Sequence, residues 1–544
     1  MMISSRRTFV KQAALLLAAV EARPWLRLEA ADGVRVTANT SAGTVRGIVD
    51  EGINVFKGIP YGDTTAGNNR FLPPKPPAPW KGTRDALAYG PTAPQTVGAA
   101  DVRGRAARAR LPEEGEDCLV LNVFTPALSV GRNRPVMVWL HGGGFSSGSG
   151  STPILDGTSL ARSGDIVVVT INHRLNVFGF TYLGEAAGSD FASSGGAGML
   201  DIVAALQWVR DNIDRFGGDP HLVTIFGQSG GGRKVATLMA MPEAKGLFHR
   251  AIIESGAVLR LTEREDAIRA THLLLDELGL GRNRARVLQN LQNVPMDRLL
   301  AANTAVNAKL PGREPGMTAN SPTVDGGVIP NHPWDPAAPG LSASIPLLIG
   351  YARTEETLYD RPTPETLALD DAGLKLRAAK RIGGDPGRVI EIYRKAHPDA
   401  TPWDLWILIA TDHPRGTYSR ELAKRKAVQA GAPAFAYRFD WETPEGGGHM
   451  RSPHTVEIPF VFNNIKIAGP LISKMPEAHA LAGKVSAAWV SFARTGNPNT
   501  SGLPKWPAYS AASRDTMLFN NVSRVEQDPD RGPRLAMEQV LHLS

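Results

Sequence analysis

Three short, mainly apolar runs stand out along the 544-residue chain, each leading into a glycine-containing segment. Val136-Met137-Val138-Trp139-Leu140 leads into His141-Gly142-Gly143-Gly144-Phe145. Leu222-Val223-Thr224-Ile225-Phe226 leads into Gly227-Gln228-Ser229-Gly230-Gly231, and Leu347-Leu348-Ile349 into Gly350. Apolar runs of this length, bounded by turn residues, read as buried strands. After the second run, Lys234 to Met241 reads as a helix. Lys375 to Lys395 reads as helical and basic, part of a helical cap. The Pro/Gly-rich span from Pro311 to Gly340 reads as a surface excursion before the third strand. No internal repeat or long low-complexity run interrupts the pattern. It points to one extended α/β sheet with inserted helices.

The second run sets up the chemistry. A serine on a sharp strand-to-helix turn is forced into strained backbone geometry, and glycines two places either side leave it room. The turn lifts the hydroxyl clear of the sheet and aims the free N–H groups of a helix start at whatever reacts there. Ser229 is therefore the candidate nucleophile. Such a serine needs an oxyanion pocket, a base and an acid that orients the base. Consecutive glycines after the first strand let bare N–H groups converge, so Gly143 and Gly144 are the candidate oxyanion donors. No Gly-Lys-Ser/Thr follows them, which argues against a nucleotide loop.

His141 to Phe145 and the elbow at Ser229 resemble the carboxylesterase type-B family, which includes cholinesterases and para-nitrobenzyl esterases. The resemblance extends to Phe56-Lys57-Gly58-Ile59-Pro60-Tyr61, Arg70-Phe71, Pro73-Pro74 and Glu116-Asp117-Cys118-Leu119-Val120-Leu121-Asn122. It continues through Asn172-His173-Arg174-Leu175, where His173 replaces a tyrosine, and Phe178-Gly179-Phe180. Leu200-Asp201, Trp208-Val209, Asn212-Ile213 and Phe216-Gly217-Gly218-Asp219-Pro220 lead on to the elbow. It covers nearly everything from about residue 34 to 520.

The resemblance implies the other two members of a triad. The family's acid lies in a Gly-x-Asn-x-x-Glu-Gly pattern, and counting five from Gly350 lands on Glu355. Ala352 replaces the asparagine and Glu356 the glycine, so Glu356 stays open as a neighbour. The base follows in a His-x-x-Glu-hydrophobic-Pro-Phe-x-Phe segment, supplied by His454 to Phe462. His454 is preferred to His449, five residues away. A histidine of ordinary pKa is neutral enough at pH 7 to take the serine proton. The order Ser229, Glu355, His454 also suits an α/β-hydrolase.

Neighbouring positions depart from the family in informative ways. Gln228 stands where many members carry a glutamate, which argues against a choline-type cationic substrate. Gly230 replaces the usual alanine and keeps the third oxyanion N–H. Ser255 matches a serine that hydrogen-bonds near the triad. Trp403, Trp406 and Tyr359 fall in regions that line the gorge of relatives.

With 42% hydrophobic and 21% charged residues, the chain reads as an ordinary soluble globular protein. A net charge of +7 is mild for this size and implies no polyanionic partner. The run Arg103 to Arg110 lacks aromatic interleaving and reads as a solvated loop, so no nucleic-acid partner is expected. Ser5-Arg6-Arg7-Thr8-Phe9-Val10-Lys11, followed by the apolar stretch Ala13 to Val20, resembles a bacterial twin-arginine export signal. That stretch is too short for a stable membrane anchor, and cleavage after Ala22 or Ala30 would release the chain. The alternative is a basic cytoplasmic tail. Cys118, the single cysteine, excludes an intramolecular disulfide, which fits folding in a reducing cytoplasm before export.

The expected protein is thus an α/β-hydrolase with a large, mostly parallel mixed sheet and helical cap insertions. Residues 1–30 form an export signal and 31–544 a single domain. Its activity is carboxylic-ester hydrolysis through an acyl-enzyme, with Ser229, Glu355 and His454 as triad and Gly143, Gly144 and Gly230 as oxyanion donors. No metal or organic cofactor is called for. The partners expected are a small ester substrate and the twin-arginine machinery, with a monomer as the working state. An amidase, carbamate or lactone hydrolase could use the same triad. A non-catalytic adhesion protein of the same fold is disfavoured, because such relatives usually lose a triad member.

Overall fold

The computed structural model describes residues 33–96, 111–128, 131, 133–281, 284–310 and 317–543. The twin-arginine stretch and the run from Arg103 to Arg110 lie outside them.

The described strands are β1 (Arg35–Asn39), β2 (Thr44–Asp50), β3 (Ile53–Pro60), β4 (Thr83–Asp85), β5 (Val120–Thr125), β6 (Arg134–Leu140), β7 (Val167–Ile171), β8 (Gly218–Gln228), β9 (Arg250–Glu254), β10 (Leu347–Ala352), β11 (Ala434–Phe439), β12 (Asp515–Phe519) and β13 (Arg524–Gln527). They join one sheet in the order β1-β2-β3-β5-β7-β6-β8-β9-β10-β11-β12-β13, with β4 beside β2. From β7 to β12 every pairing is parallel; β2-β3, β3-β5, β5-β7 and β12-β13 are antiparallel. The helices that matter below are α1 (Ala197–Asn212), α2 (Gly230–Leu238), α3 (Asp371–Ile382), α4 (Gly387–Ala396), α5 (Pro402–Thr411), α6 (Thr417–Val428) and α7 (Pro476–Thr495).

The central strands are unbroken apolar runs because both faces of the sheet are covered. Val136, Val138 and Leu140 of β6 join the core under α1 and α2, alongside Ile202, Leu206 and Val235. Met137 and Trp139 point the other way, into the core with Leu481, Val485, Trp489 and Phe492 of α7. The parallel run matters for function. It brings the carboxyl ends of β6, β8, β9 and β10 to one edge, where α/β sheets bind their ligands.

Three sequence expectations need correction. The helix after the elbow is Gly230–Leu238, not Lys234–Met241: its first turn is glycine, which propensity reads as loop. Lys375 to Lys395 is not one helix but α3 and α4, parted where Gly383 takes φ +75° as the helix cap. The span to Gly340 is not merely a surface excursion. Thr323 and Trp334 are fully buried, and Trp334 Nε1 donates to the Ala236 carbonyl at 3.1 Å. That stretch packs against α2 through Trp334, which sits in the main apolar core, a contact that no apolar pattern announces. Among the described residues, no helix is long and apolar enough to cross a membrane.

Candidate active site

Ser229 closes β8 and caps α2 with φ 58° and ψ −120°, a strained region for a residue with a side chain. The strain is held from both sides. Its N–H donates to the Glu254 carbonyl of β9 at 2.8 Å, and its own carbonyl accepts from Arg233 N at 3.1 Å. Glycine surrounds it because backbone does. A Cβ on Gly231 would lie 1.9 Å from the Leu140 carbonyl oxygen, and one on Gly230 2.4 Å from Gly144 N. A side chain at 230 would require the Gly144 segment to shift, and glycine lets the loop approach this closely. Gly143 and Gly144 take φ +88° and +62°, which turns the loop toward that helix start.

Lys234 braces this loop from behind. Fully buried on α2, its ammonium donates to the His141 carbonyl at 2.9 Å and sits 5.8 Å from the Phe145 ring. Burial, with the charge of Arg233, brings its pKa down to about 7. His141 and His173 stack 4.8 Å apart beside it, which gives the histidine replacing the family tyrosine a packing role. Burial drives both imidazoles well below the ordinary range and keeps them uncharged.

β10 ends at Ala352, and the turn beyond it brings Glu355 to His454. Glu355 Oε2 hydrogen-bonds His454 Nδ1, Glu355 Oε1 accepts from Ala352 N at 2.8 Å, and both side chains are buried. Glu356 faces elsewhere, with its carboxylate 3.6 Å from Arg381. Gln228 Nε2 lies 3.2 Å from His454 Nδ1 and 3.4 Å from Nε2, so the residue before the elbow serine packs beside the imidazole. Ser255 ends β9 with φ 52°, and its hydroxyl donates to Glu457 Oε1 at 2.9 Å.

A cation completes the group. Arg415, between α5 and α6, donates to Glu355 Oε2 at 3.2 Å, and its Nη1 lies 2.6 Å from His454 Nδ1. Tyr359, 56% exposed, covers both: its ring is 5.5 Å from the His454 ring and 5.4 Å from the Arg415 guanidinium. Trp403 and Trp406 instead pack in a separate helical cluster with Leu374, Val389 and Tyr393.

These neighbours separate the pKa values. Burial would raise Glu355, but His454 and Arg415 outweigh it and hold the carboxylate below the usual range. Burial and the Arg415 charge bring His454 down to about 4, against the pull of Glu355, so the imidazole is a free base at neutral pH. Glu457 is pushed up to about 8 by burial and the Glu355 charge, so it stays protonated at pH 7. One buried anion therefore serves the site, and a glutamate at 228 would have added a competitor. Cys118 is buried, and its thiol is pushed up by burial, which makes it inert. Among the described residues, no three His, Cys, Asp or Glu side chains gather as a metal site.

The structure thus brings Glu355, His454, Gln228 and Ser255 together beside the Ser229 elbow and the glycine loop. Sequence reasoning missed Arg415 and Lys234. Lys234 had a signal, a charge at an otherwise apolar helix position five residues past the serine; Arg415 had none.

The geometry agrees with what resembles this chain. The carboxylesterase family model matches residues 34–372 and 403–533. Para-nitrobenzyl esterase of Bacillus subtilis (strain 168) is 36% identical over 502 residues, 91% of this chain and 97% of that protein. Phenmedipham hydrolase of Pseudarthrobacter oxydans is 34% identical, covering 88% and 93%. Among solved structures, the Geobacillus stearothermophilus carboxylesterase Est55 superposes with a TM-score of 0.79 at 39% identity, covering 92% of this chain and 99% of that one.

Proposed function

We propose that this chain, which belongs to the carboxylesterase family and hydrolyses carboxylic esters, does so through an acyl-enzyme on Ser229. The observation that carries the reading is the buried Glu355–His454 hydrogen bond beside the strained Ser229 elbow. Glu355 accepts the Nδ1 proton and leaves Nε2 as the basic nitrogen. His454 takes the Ser229 proton as the hydroxyl oxygen attacks the ester carbonyl. The negative charge that develops on the carbonyl oxygen is met by the N–H groups of Gly143, Gly144 and Gly230.

As the tetrahedral intermediate collapses, His454 returns the proton to the departing alcohol and Ser229 keeps the acyl group. Water, deprotonated by the same imidazole, then releases the acid and restores the serine. Glu355 stays ionised throughout, stabilising the imidazolium that forms in each half-reaction.

A shared intermediate has a kinetic signature. Esters with one acyl group and different alcohols, hydrolysed with added hydroxylamine, should give the same ratio of hydroxamate to acid. A ratio that changes with the alcohol would mean direct attack by water and would remove the acyl-enzyme.

A further inference from the structure

A cavity of about 220 Å³ lies beside the turn that carries Glu355, and none of Ser229, Glu355 or His454 lines it. The turn after β10 gives it Arg353, the link between α4 and α5 gives it Asp399, and α5 gives it Trp403, Ile407 and Leu408. Trp403 and Ile407 are buried and form an apolar wall, while Asp399 is exposed and marks where the cavity meets solvent. A volume below the roughly 300 Å³ of pockets for drug-sized ligands limits an occupant to a small molecule.

Two opposite charges in this lining have no ion-pair partner. Arg353 is half-buried, and its backbone N–H is pinned to the Phe439 carbonyl at 3.0 Å. Among the described residues its guanidinium makes no hydrogen bond and has no carboxylate within 4.0 Å. Asp530 feels its charge but is ion-paired to Arg438. Asp399 is also unpaired, so the two side chains stand more than 4.0 Å apart on separate elements of one cavity. Arg451 answers the other two carboxylates of the lining, Asp404 at 2.8 Å and Glu442 at 3.7 Å. Burial lowers the pKa of His397, which keeps that imidazole uncharged. Two carboxylates against one guanidinium leave the Arg451 side acidic, and that side favours a cation.

This combination fits a zwitterion with an apolar side chain. A carboxylate on Arg353 gains charge-assisted, two-pronged hydrogen bonds. An ammonium on Asp399 answers the second unpaired charge, and a branched or aromatic side chain leaves water against Trp403 and Ile407. A plain anion would meet the acidic side, and a plain amine would leave Arg353 unanswered. We propose that this cavity is a second binding site, which takes a free α-amino acid with an apolar side chain. Thr354 and Thr357, on either side of Glu355, also line it, so the occupant rests on the turn that holds the triad acid.

Isothermal titration of the full-length protein with L-leucine and L-phenylalanine reads the site directly. Leucinamide, which lacks the carboxylate, and N-acetyl-L-leucine, which lacks the ammonium, are run beside them. Wild type should bind the free amino acids about tenfold or more tightly than either analogue. Arg353→Met should erase the contrast between leucine and leucinamide. Asp399→Asn should erase the contrast between leucine and N-acetyl-L-leucine. Each variant should keep the other contrast, which reports a folded site. Absence of saturable binding to wild type overturns the site. Equal binding of N-acetyl-L-leucine would make it a plain anion site, and equal binding of leucinamide a plain cation site; both overturn the zwitterion. A contrast that survives its own substitution overturns it too, because the amino acid would then be held elsewhere.

Discussion

Arg415 Nη1 lies 3.2 Å from Glu355 Oε2, the same carboxylate oxygen that holds His454 Nδ1. The buried acid therefore answers to two cations once the imidazole is protonated, and one of them is permanent. Arg415 keeps Glu355 ionised and at the same time makes protonation of His454 harder.

The pH dependence follows from that relationship. The reaction needs neutral His454, whose pKa is drawn down to about 4, so activity is retained as pH falls and lost only as it passes well below 6.5. Arg415→Met removes a charge that lowers this value, so the acid limb of kcat/KM should move up by about one pH unit. Plateau activity should drop about tenfold, because Glu355 loses a donor. A pH profile of both proteins checks it; an acid limb that stays put or moves down would contradict the assignment.

Glu355 and Glu356 are neighbours in sequence with opposite surroundings. Glu355→Gln loses the group that fixes the imidazole tautomer, and kcat should fall by about three to four orders of magnitude. Glu356→Gln alters a pairing with Arg381 at 3.6 Å, so kcat should stay within about tenfold of wild type. Parallel turnover measurements decide it, and the reverse ranking would shift the acid by one residue.

Lys234 separates activity from stability. Among the described residues, no carboxylate pairs with its buried ammonium, whose one hydrogen bond is to the His141 carbonyl. Lys234→Met replaces a costly charge with an apolar chain of similar length, so Tm should hold or rise. The oxyanion loop loses its brace, and kcat should fall about tenfold or more with KM little changed. Thermal melts beside steady-state kinetics test both halves; a large drop in Tm with unchanged kcat would make the lysine purely structural.

The N-terminal sequence supports a proposal of its own: export through the twin-arginine route, guided by Arg6 and Arg7. Replacing both by lysine should leave active enzyme in the cytoplasm of the native host. Fractionation that finds the same distribution with and without the change would reduce the pair to a basic tail.

What the sequence made legible follows a physical divide. Ser229, Gly143 and Gly144 are readable because local backbone demands, a strained turn and a close approach, leave glycine as their trace. The apolar runs of β6, β8 and β10 are readable because both faces of the sheet are buried. Glu355 and His454 needed the family resemblance, since 99 residues part them and no local pattern links a carboxylate to a distant imidazole. Arg415 was out of reach for the same reason: it meets Glu355 from a different element, 60 residues away. Trp334 was misplaced with its loop, because a Pro/Gly-rich span gives no apolar period to mark the one tryptophan it sends into the core.

Covalent trapping reads out the nucleophile itself. A fluorophosphonate phosphonylates an activated serine hydroxyl, and peptide mass mapping locates the adduct. One adduct is expected, on Ser229, with activity lost in proportion to labelling. Labelling should disappear in Ser229→Ala and slow by orders of magnitude in His454→Ala. An adduct on another residue, or equal labelling of Ser229→Ala and wild type, would contradict it.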